Sequence, residues 1–290
     1  MGITTDGLSY WQAETGGINL LEMTIGDLLD RRANELPTQE AIVYSCYPEF
    51  GDTLNIRWTY QDYRDQANAV AKGLLALGLV RGDHIAVWAA NIPEWLLLEM
   101  AAAKAGLVLV TVNPLLQAAE VEYILKQGDV QALFFMARVR TYDHLATLHT
   151  LISPGARQGE VTSERLPRLR FLCLMGMPPA GLLEQQGWRP ALLGEVTAEG
   201  LQVSNDLLSE RQGAVTPLDP AMILYTSGTT GSPKGAMLTH RSLLNNGWLM
   251  AHRWRLEQTD RYCTPMPFFH AGGVSAAFWQ RSLLDVPSIP

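Results

Sequence analysis

Residues 225–240 read YTSGTTGSPKGAMLTH, a stretch of small hydroxyl residues and glycines around one lysine. Such a loop suits polyphosphate. Gly228, Gly231 and Gly235 permit positive backbone φ and carry no Cβ, so consecutive N–H groups are expected to converge on anionic oxygens. Thr226, Ser227, Thr229, Thr230 and Ser232 offer hydroxyl groups, and Lys234 supplies a mobile charge. Each charge-assisted hydrogen bond contributes roughly 1.5–3 kcal/mol, so several acting together hold a nucleotide.

Spacing separates this loop from others of similar composition. A Walker A loop places glycine before its lysine and serine or threonine after it, whereas here Pro233 precedes Lys234 and Gly235 follows. The dinucleotide fingerprint fails as well, because Gly228 and Gly231 are separated by two threonines. Ser227 stands in T-S-G and not in G-x-S-x-G, so it is not the nucleophile of a strand-to-helix elbow. A plain glycine-rich surface turn and an unrelated phosphotransferase loop remain the alternatives.

YTSGTTGSPKG is similar, without gaps, to the phosphate-loop signature of the adenylate-forming superfamily, which includes acyl-CoA synthetases, luciferases and peptide-synthetase adenylation domains. Other segments resemble the same family in the same order. They are RWTYQDYRDQANAVAKGLLALGLVRGDHIAVWAANIPEW (57–95), AKAGLVLVTVNPLLQAAEVEYIL (103–125) and PMPFFHAGG (265–273). The resemblance covers most of residues 20–275. Asn113-Pro114 stands where amino-acid-activating relatives more often carry Asp-Pro, which favours a carboxylic acid substrate.

Composition bounds the remaining classes. With 290 residues, 47% hydrophobic and 18% charged, the chain can bury a sizeable core in one large or two small domains. A net charge of −7, with no lysine-arginine block, argues against general attraction to nucleic acid. Cys46, Cys173 and Cys263 are odd in number and far apart, which fits a reducing compartment and neither a disulfide framework nor a zinc site. The first twenty residues hold Asp6 and Glu14 and lack a basic start followed by an apolar run, so no export signal is read. Trp95 to Val112 approaches membrane length, but Glu99 and Lys104 interrupt it and Gly106 divides it into an expected helix and a buried strand. A cytoplasmic location is expected, with room for loose membrane attachment, and the oligomeric state is not legible.

Alternating elements predict a parallel sheet with helical crossovers. Tyr63, Ala67, Val70, Ala71, Leu74 and Leu75 share one helical face that stops at Gly78. Strands follow at 85–90, 107–112, 132–135, 169–174 and 221–226, and helices at 93–104, 120–127 and 142–152. Ala41–Tyr44 and Ile56–Thr59 are expected to add strands to a second sheet, while 154–167 and 176–218 read as surface connections. Thr239 is expected to cap a helix carrying Leu244, Gly247, Trp248 and Ala251 on one side. This strand, loop and helix order would place phosphates at the carboxyl end of a strand.

The resemblance implies an α/β protein built from layered parallel-sheet subdomains, the large N-terminal domain of an adenylate-forming enzyme, incomplete at its C-terminus. It divides the chain into a leading segment to residue 60, a first subdomain over 61–240 and the start of a second over 241–290. It implies ATP, Mg²⁺ and coenzyme A as reactants or cofactors and a carboxylic, fatty acid as partner. Thr226, Ser227, Gly228, Thr229, Thr230, Gly231, Ser232 and Lys234 are the residues it assigns to the phosphates, with Thr230 also toward magnesium. His270, in PMPFFHAGG, is assigned to the nucleotide and acyl sites, and His240 ranks below it. Trp88, Trp95 and Trp248 are expected in the core.

The family's later adenine and ribose motifs, hinge, small C-terminal domain and catalytic lysine are not found in these residues. The chain therefore reads as the front part of an acyl-CoA synthetase, cut by design, by gene truncation or by a frame change. A nucleotide-binding or interaction module without turnover is the alternative.

Overall fold

A computed structural model describes residues 2–3, 9–10, 20–44, 55–176, 189–226, 233–257 and 260–273. Its principal strands are β1 (Glu40–Tyr44), β2 (Ile56–Thr59), β3 (His84–Trp88), β4 (Val108–Val112), β5 (Val130–Phe135), β6 (Phe171–Leu174), β7 (Ala191–Leu192), β8 (Pro220–Thr226) and β9 (Lys234–Thr239). The helices are α1 (Ile25–Glu35), α2 (Tyr60–Ala76), α3 (Pro93–Ala105), α4 (Ala118–Gln127), α5 (His144–His149), α6 (Leu193–Glu199), α7 (Asn205–Gly213) and α8 (His240–Arg253).

Seven strands form one sheet in the order β7-β6-β5-β3-β4-β8-β9. All neighbours are parallel except β8 and β9, which are antiparallel. β1 and β2 pair with each other in a separate antiparallel ladder.

Alternation along the strands sends side chains to opposite faces. Ile85, Val87, Leu109, Phe134, Cys173, Met222 and Leu224 face a core covered by α1, α2 and α3. Ala86, Trp88, Val108, Val110, Leu133, Phe135, Leu172 and Ile223 face a second core with Val121, Ile124 and Leu125 of α4 and Leu145 and Leu148 of α5. Helices on both faces remove water from both sides of the strands, which explains their near-continuous apolar runs. Trp88 and Trp95 are fully buried and Trp248 nearly so, as expected.

Local chemistry fixes the helix ends. α1 and α2 each open on a capping box, Thr24 with Asp27 and Thr59 with Asp62. α2 ends before Gly78 at φ +73°, and α3 runs from Pro93 at its first position to Gly106 at φ +67°. The 95–112 stretch is thus a helix and a strand, and among the described residues no helix is long and apolar enough to cross a membrane.

Three expectations change. The 176–218 stretch carries α6 and α7 where its described residues begin at 189. Glu195 reaches back to the Leu192 N–H and Ser204 accepts from the Leu207 N–H, so capping side chains and not an apolar period start these helices. Residues 153–154 and 161–162 pair as a small antiparallel ladder. The helix expected over 142–152 shortens to His144–His149, because Tyr142 and Asp143 pair with Val139 and Arg138 and Asp143 caps the helix through the Ala146 N–H at 2.9 Å.

Candidate functional site

β3, β4 and β8 run parallel, so their carboxyl ends share one edge of the sheet. The β8–β4 register, with Met222 opposite Leu109 and Ile223 opposite Val110, carries Thr226 just past the end of β4. Ser227 to Ser232 lie outside the described residues, including the expected phosphate contacts Ser227, Gly228, Thr229, Thr230, Gly231 and Ser232. Both ends of the segment are described. Thr226 and Lys234 face each other as the terminal pair of the β8–β9 ladder, the Thr226 hydroxyl lying 3.5 Å from the Lys234 carbonyl.

Lys234 and Gly235 are therefore strand residues and not loop residues. Gly235 lies in the ladder opposite Tyr225, without the positive φ expected of it. A Cβ there would sit 2.9 Å from Ile223 Cγ2 and 3.2 Å from Tyr225 Cζ, so the glycine makes room for the ring across from it. Lys234 is exposed, and no carboxylate among the described residues pairs with it, which leaves its ammonium available to an anion at the carboxyl edge.

The strand–loop–helix order is also corrected. β9 carries the chain back to Thr239, opposite Pro220 at the amino edge, before α8 begins. Six strand residues span about 20 Å, far beyond the reach of a helix-terminal dipole, which acts within the first turn. An anion at this edge would therefore gain nothing from the α8 dipole.

Thr239 does cap α8, as expected, in a capping box with Ser242. His240 is fully buried at the amino edge, where its Nδ1 accepts from the Ile25 N–H at 3.3 Å. Burial pushes its pKa down to about 4, against the pull of Asp219 and Asp27. It is a neutral acceptor joining α8 to α1.

Tyr123 of α4 donates from its hydroxyl to the Pro233 carbonyl at 3.2 Å, bracing the outgoing end of the loop. Burial, with Tyr123 nearby, pushes the Tyr225 phenol up to about 12. α4 is in turn set by the turn that precedes it. Trp88 donates through Nε1 to the Asn113 carbonyl at 3.2 Å and stacks on His144, with ring centroids 3.7 Å apart. The two His144 ring nitrogens lie 2.8 Å from the Met136 and Pro114 carbonyls. Burial lowers the pKa of His144, and a neutral ring donates through one nitrogen only.

The PMPFFHAGG segment crosses the same edge. Asn91, just after β3, donates through Nδ2 to the Met266 carbonyl at 2.8 Å and accepts from the Phe268 N–H at Oδ1, also at 2.8 Å. Thr111 of β4 donates to the Phe269 carbonyl at 3.0 Å, and Phe268 tilts against Trp95 with centroids 5.6 Å apart. His270 is exposed on the resulting turn, closed by His270 N–H to Pro267 and Gly273 N–H to His270. Its Nδ1 accepts from the Gly272 N–H at 3.3 Å, so in the neutral ring the proton sits on Nε2.

Asn91, Thr111, Tyr123 and Tyr225 carry this architecture and were not among the expected site residues. All four lie inside the segments that resemble the family, but no motif chemistry singles them out. Thr226, Lys234 and His270 all lie in the elements that meet the carboxyl edge.

The arrangement agrees with the comparisons with known proteins. The AMP-binding enzyme profile matches residues 29–281. YngI of Bacillus subtilis (strain 168), provisionally named an acyl-CoA synthetase, is 40% identical over 256 residues, covering 88% of this chain and 44% of its own. The bovine mitochondrial medium-chain acyl-CoA ligase ACSF2 is 36% identical over 274 residues, 92% of this chain and 42% of the relative. Among solved structures, the long-chain-fatty-acid-CoA ligase FadD1 of Archaeoglobus fulgidus superposes with a TM-score of 0.70 at 20% identity, covering 94% of this chain and 48% of that one. The N-terminal domain of FACL13 from Mycobacterium tuberculosis gives 0.62 at 25% identity, over 90% of this chain and 55% of that one.

The chain spans less than half the length of these two curated relatives. With a profile match over residues 29–281 and relatives of 36–40% identity covering 88–92% of it, the chain belongs to the AMP-binding enzyme family.

Proposed function

We propose that this chain is the nucleotide- and acid-binding part of an acid–thiol ligase that activates a carboxylic, fatty acid as an acyl-adenylate and passes it to coenzyme A. The observation that carries the reading is the placement of both ends of the 227–232 segment, with Lys234 exposed, on the sheet edge that also holds the His270 turn. The names of the relatives, acyl-CoA synthetase and medium-chain acyl-CoA ligase, support the acyl substrate.

The chemistry fits a site without a general base. A carboxylate is already an anionic nucleophile near pH 7. Its approach to the α-phosphorus of ATP is opposed by surrounding negative oxygens, so positioning and charge neutralisation decide the rate. In this reading the loop amides, the hydroxyls of Thr226, Ser227, Thr229, Thr230 and Ser232, and the Lys234 ammonium hold the β- and γ-phosphates. A carboxylate oxygen bonds to the α-phosphorus, the bond to the bridging oxygen breaks and pyrophosphate leaves. A thiol then attacks the acyl carbon and AMP departs. Magnesium, when bound, neutralises phosphate charge, and the Thr230 hydroxyl is its candidate protein ligand.

In this reading His270, whose Nδ1 accepts from the Gly272 N–H, donates through Nε2 toward the nucleotide or the acyl group. The division at residues 60 and 240, and a cytoplasmic location with loose membrane contact, belong to the same proposal. The reading is tested by ATP–pyrophosphate exchange, with and without a medium- or long-chain fatty acid, on this chain and on the product of the completed gene. The family's adenine, ribose and catalytic-lysine motifs are not found in these residues, and this chain is not expected to be fully active alone. Acid-dependent exchange supports it, and phosphate release without any acid would point to a different phosphotransferase. MgATP binding with no acid-dependent exchange would favour the alternative of a nucleotide-binding module, which rests on the chain's share of its relatives' length.

A further inference from the structure

We infer that Asn91 is a positioning residue that fixes the register of the His270 turn on the carboxyl edge of the sheet; this rests on the ligase reading above. Two hydrogen bonds from one side-chain amide reach backbone groups two residues apart, the Met266 carbonyl and the Phe268 N–H, each at 2.8 Å. An asparagine amide presents donor and acceptor side by side, as a neighbouring strand would. The segment is thereby held as if it paired with one more residue of the sheet.

The amide itself is well set. Asn91 lies between the end of β3 and the Pro93 start of α3, and its own carbonyl accepts from the Tyr44 hydroxyl. Thr111 adds a third bond one residue further on, to the Phe269 carbonyl. Four consecutive residues, 266 to 269, thus carry three hydrogen bonds to β4 and the β3–α3 connection and one aromatic contact to Trp95 of α3.

Beyond the anchors the turn resists sliding in one direction. A Cβ at Gly273 would fall 1.9 Å from the Pro267 carbonyl oxygen, so a shift that brought Val274 to that place would clash. The opposite shift would bring Gly272 there and is opposed by the Asn91 and Thr111 bonds. Register at Asn91 therefore sets where the His270 ring emerges. Neither close relative of asparagine reproduces both bonds. Aspartate keeps the acceptor for the Phe268 N–H but offers a second oxygen to the Met266 carbonyl, and alanine keeps neither bond.

The test uses the full chain with Asn91→Ala and Asn91→Asp. Hydrogen exchange of the Phe268 amide and the ¹⁵N resonances of the His270 ring report the turn without any need for activity. The inference expects about tenfold faster exchange at Phe268 in Asn91→Ala, smaller acceleration in Asn91→Asp, and loss of the acceptor signature at His270 Nδ1 in the alanine variant. Unchanged exchange and unchanged ring resonances in a folded Asn91→Ala protein would overturn it. If the alanine variant does not fold, Asn91→Asp decides: His270 resonances identical to the parent's would overturn it, and shifted ones would support it.

Acid-dependent pyrophosphate exchange then reads the positioning effect. The expected result is a kcat about tenfold lower in Asn91→Ala with the KM for ATP unchanged, and a wild-type kcat in that variant would overturn the role. The exchange is read in the product of the completed gene; its absence in that parent would instead count against the ligase reading, while the resonance and amide measurements still decide the placement.

Discussion

Acidification should loosen the joint between α1 and α8 through one residue. His240 is fully buried, its Nδ1 accepts from the Ile25 N–H, and its folded-state pKa is pushed down to about 4. An unfolded chain restores the ordinary value of about 6.5. Between these values the unfolded state binds the extra proton, so stability is complete above about pH 6.5 and is lost as the pH falls through about 4. The gap from about 6.5 to about 4, at about 1.4 kcal/mol per pH unit, is worth about 3.5 kcal/mol in full, of which about 3 kcal/mol is lost between pH 7 and pH 4.

Other groups titrate in the same window, so the effect is read as a difference. Asn at 240 keeps an acceptor near the Nδ1 position and has no proton to gain. Urea unfolding of the parent and of His240→Asn at pH 7, 6, 5 and 4 should give stability curves that converge or cross as the pH falls, the gap changing by about 3 kcal/mol. Parallel curves would refute the reasoning, because they would mean that the buried ring does not resist protonation.

Glu99 should act in the opposite direction. It is buried in α3 with neither carboxylate oxygen hydrogen-bonded among the described residues, and burial raises its pKa to about 8. Stability from its retained proton is then complete below about pH 4.5 and lost as the pH rises through about 8, so Glu99→Gln should raise the melting temperature at pH 9 and matter little at pH 4. Gly73→Ala should destabilise by at least about 2 kcal/mol, since a Cβ there would lie 2.5 Å from the Val196 carbonyl oxygen, while Gly194→Ala, with nothing within 4 Å, should be neutral or stabilising; thermal melts of the pair check both.

The apolar runs around Ile85, Leu109 and Phe134 made the parallel sheet legible, because burial on both faces leaves no polar alternation to misread. Gly78, Gly106 and Thr239 marked helix ends by chemistry that is local in sequence. β9 was hidden by the glycine and hydroxyl content of the run before it: Lys234 and Gly235 look like loop residues, and only the cross-strand fit of Gly235 to Tyr225 explains why glycine belongs in that strand.

α6 and α7 were missed for a different reason. Only Leu208 of α7 and Val196 of α6 are buried, so neither helix prints an apolar period, and their caps lie in polar stretches that resemble turns. Lys234, Thr226 and His270 were named from their motifs, and all three lie in elements that meet the carboxyl edge. Asn91 was not, since its role is a pair of hydrogen bonds to backbone 175 and 177 residues away.

The central claim is that Lys234 and the loop before it receive the phosphates of ATP. Isothermal titration of the chain with MgATP measures this directly. Saturable binding by the parent, at least about tenfold weaker in Lys234→Ala with the melting temperature unchanged, is the predicted result. No binding by the folded parent, or equal binding by both proteins, would contradict it.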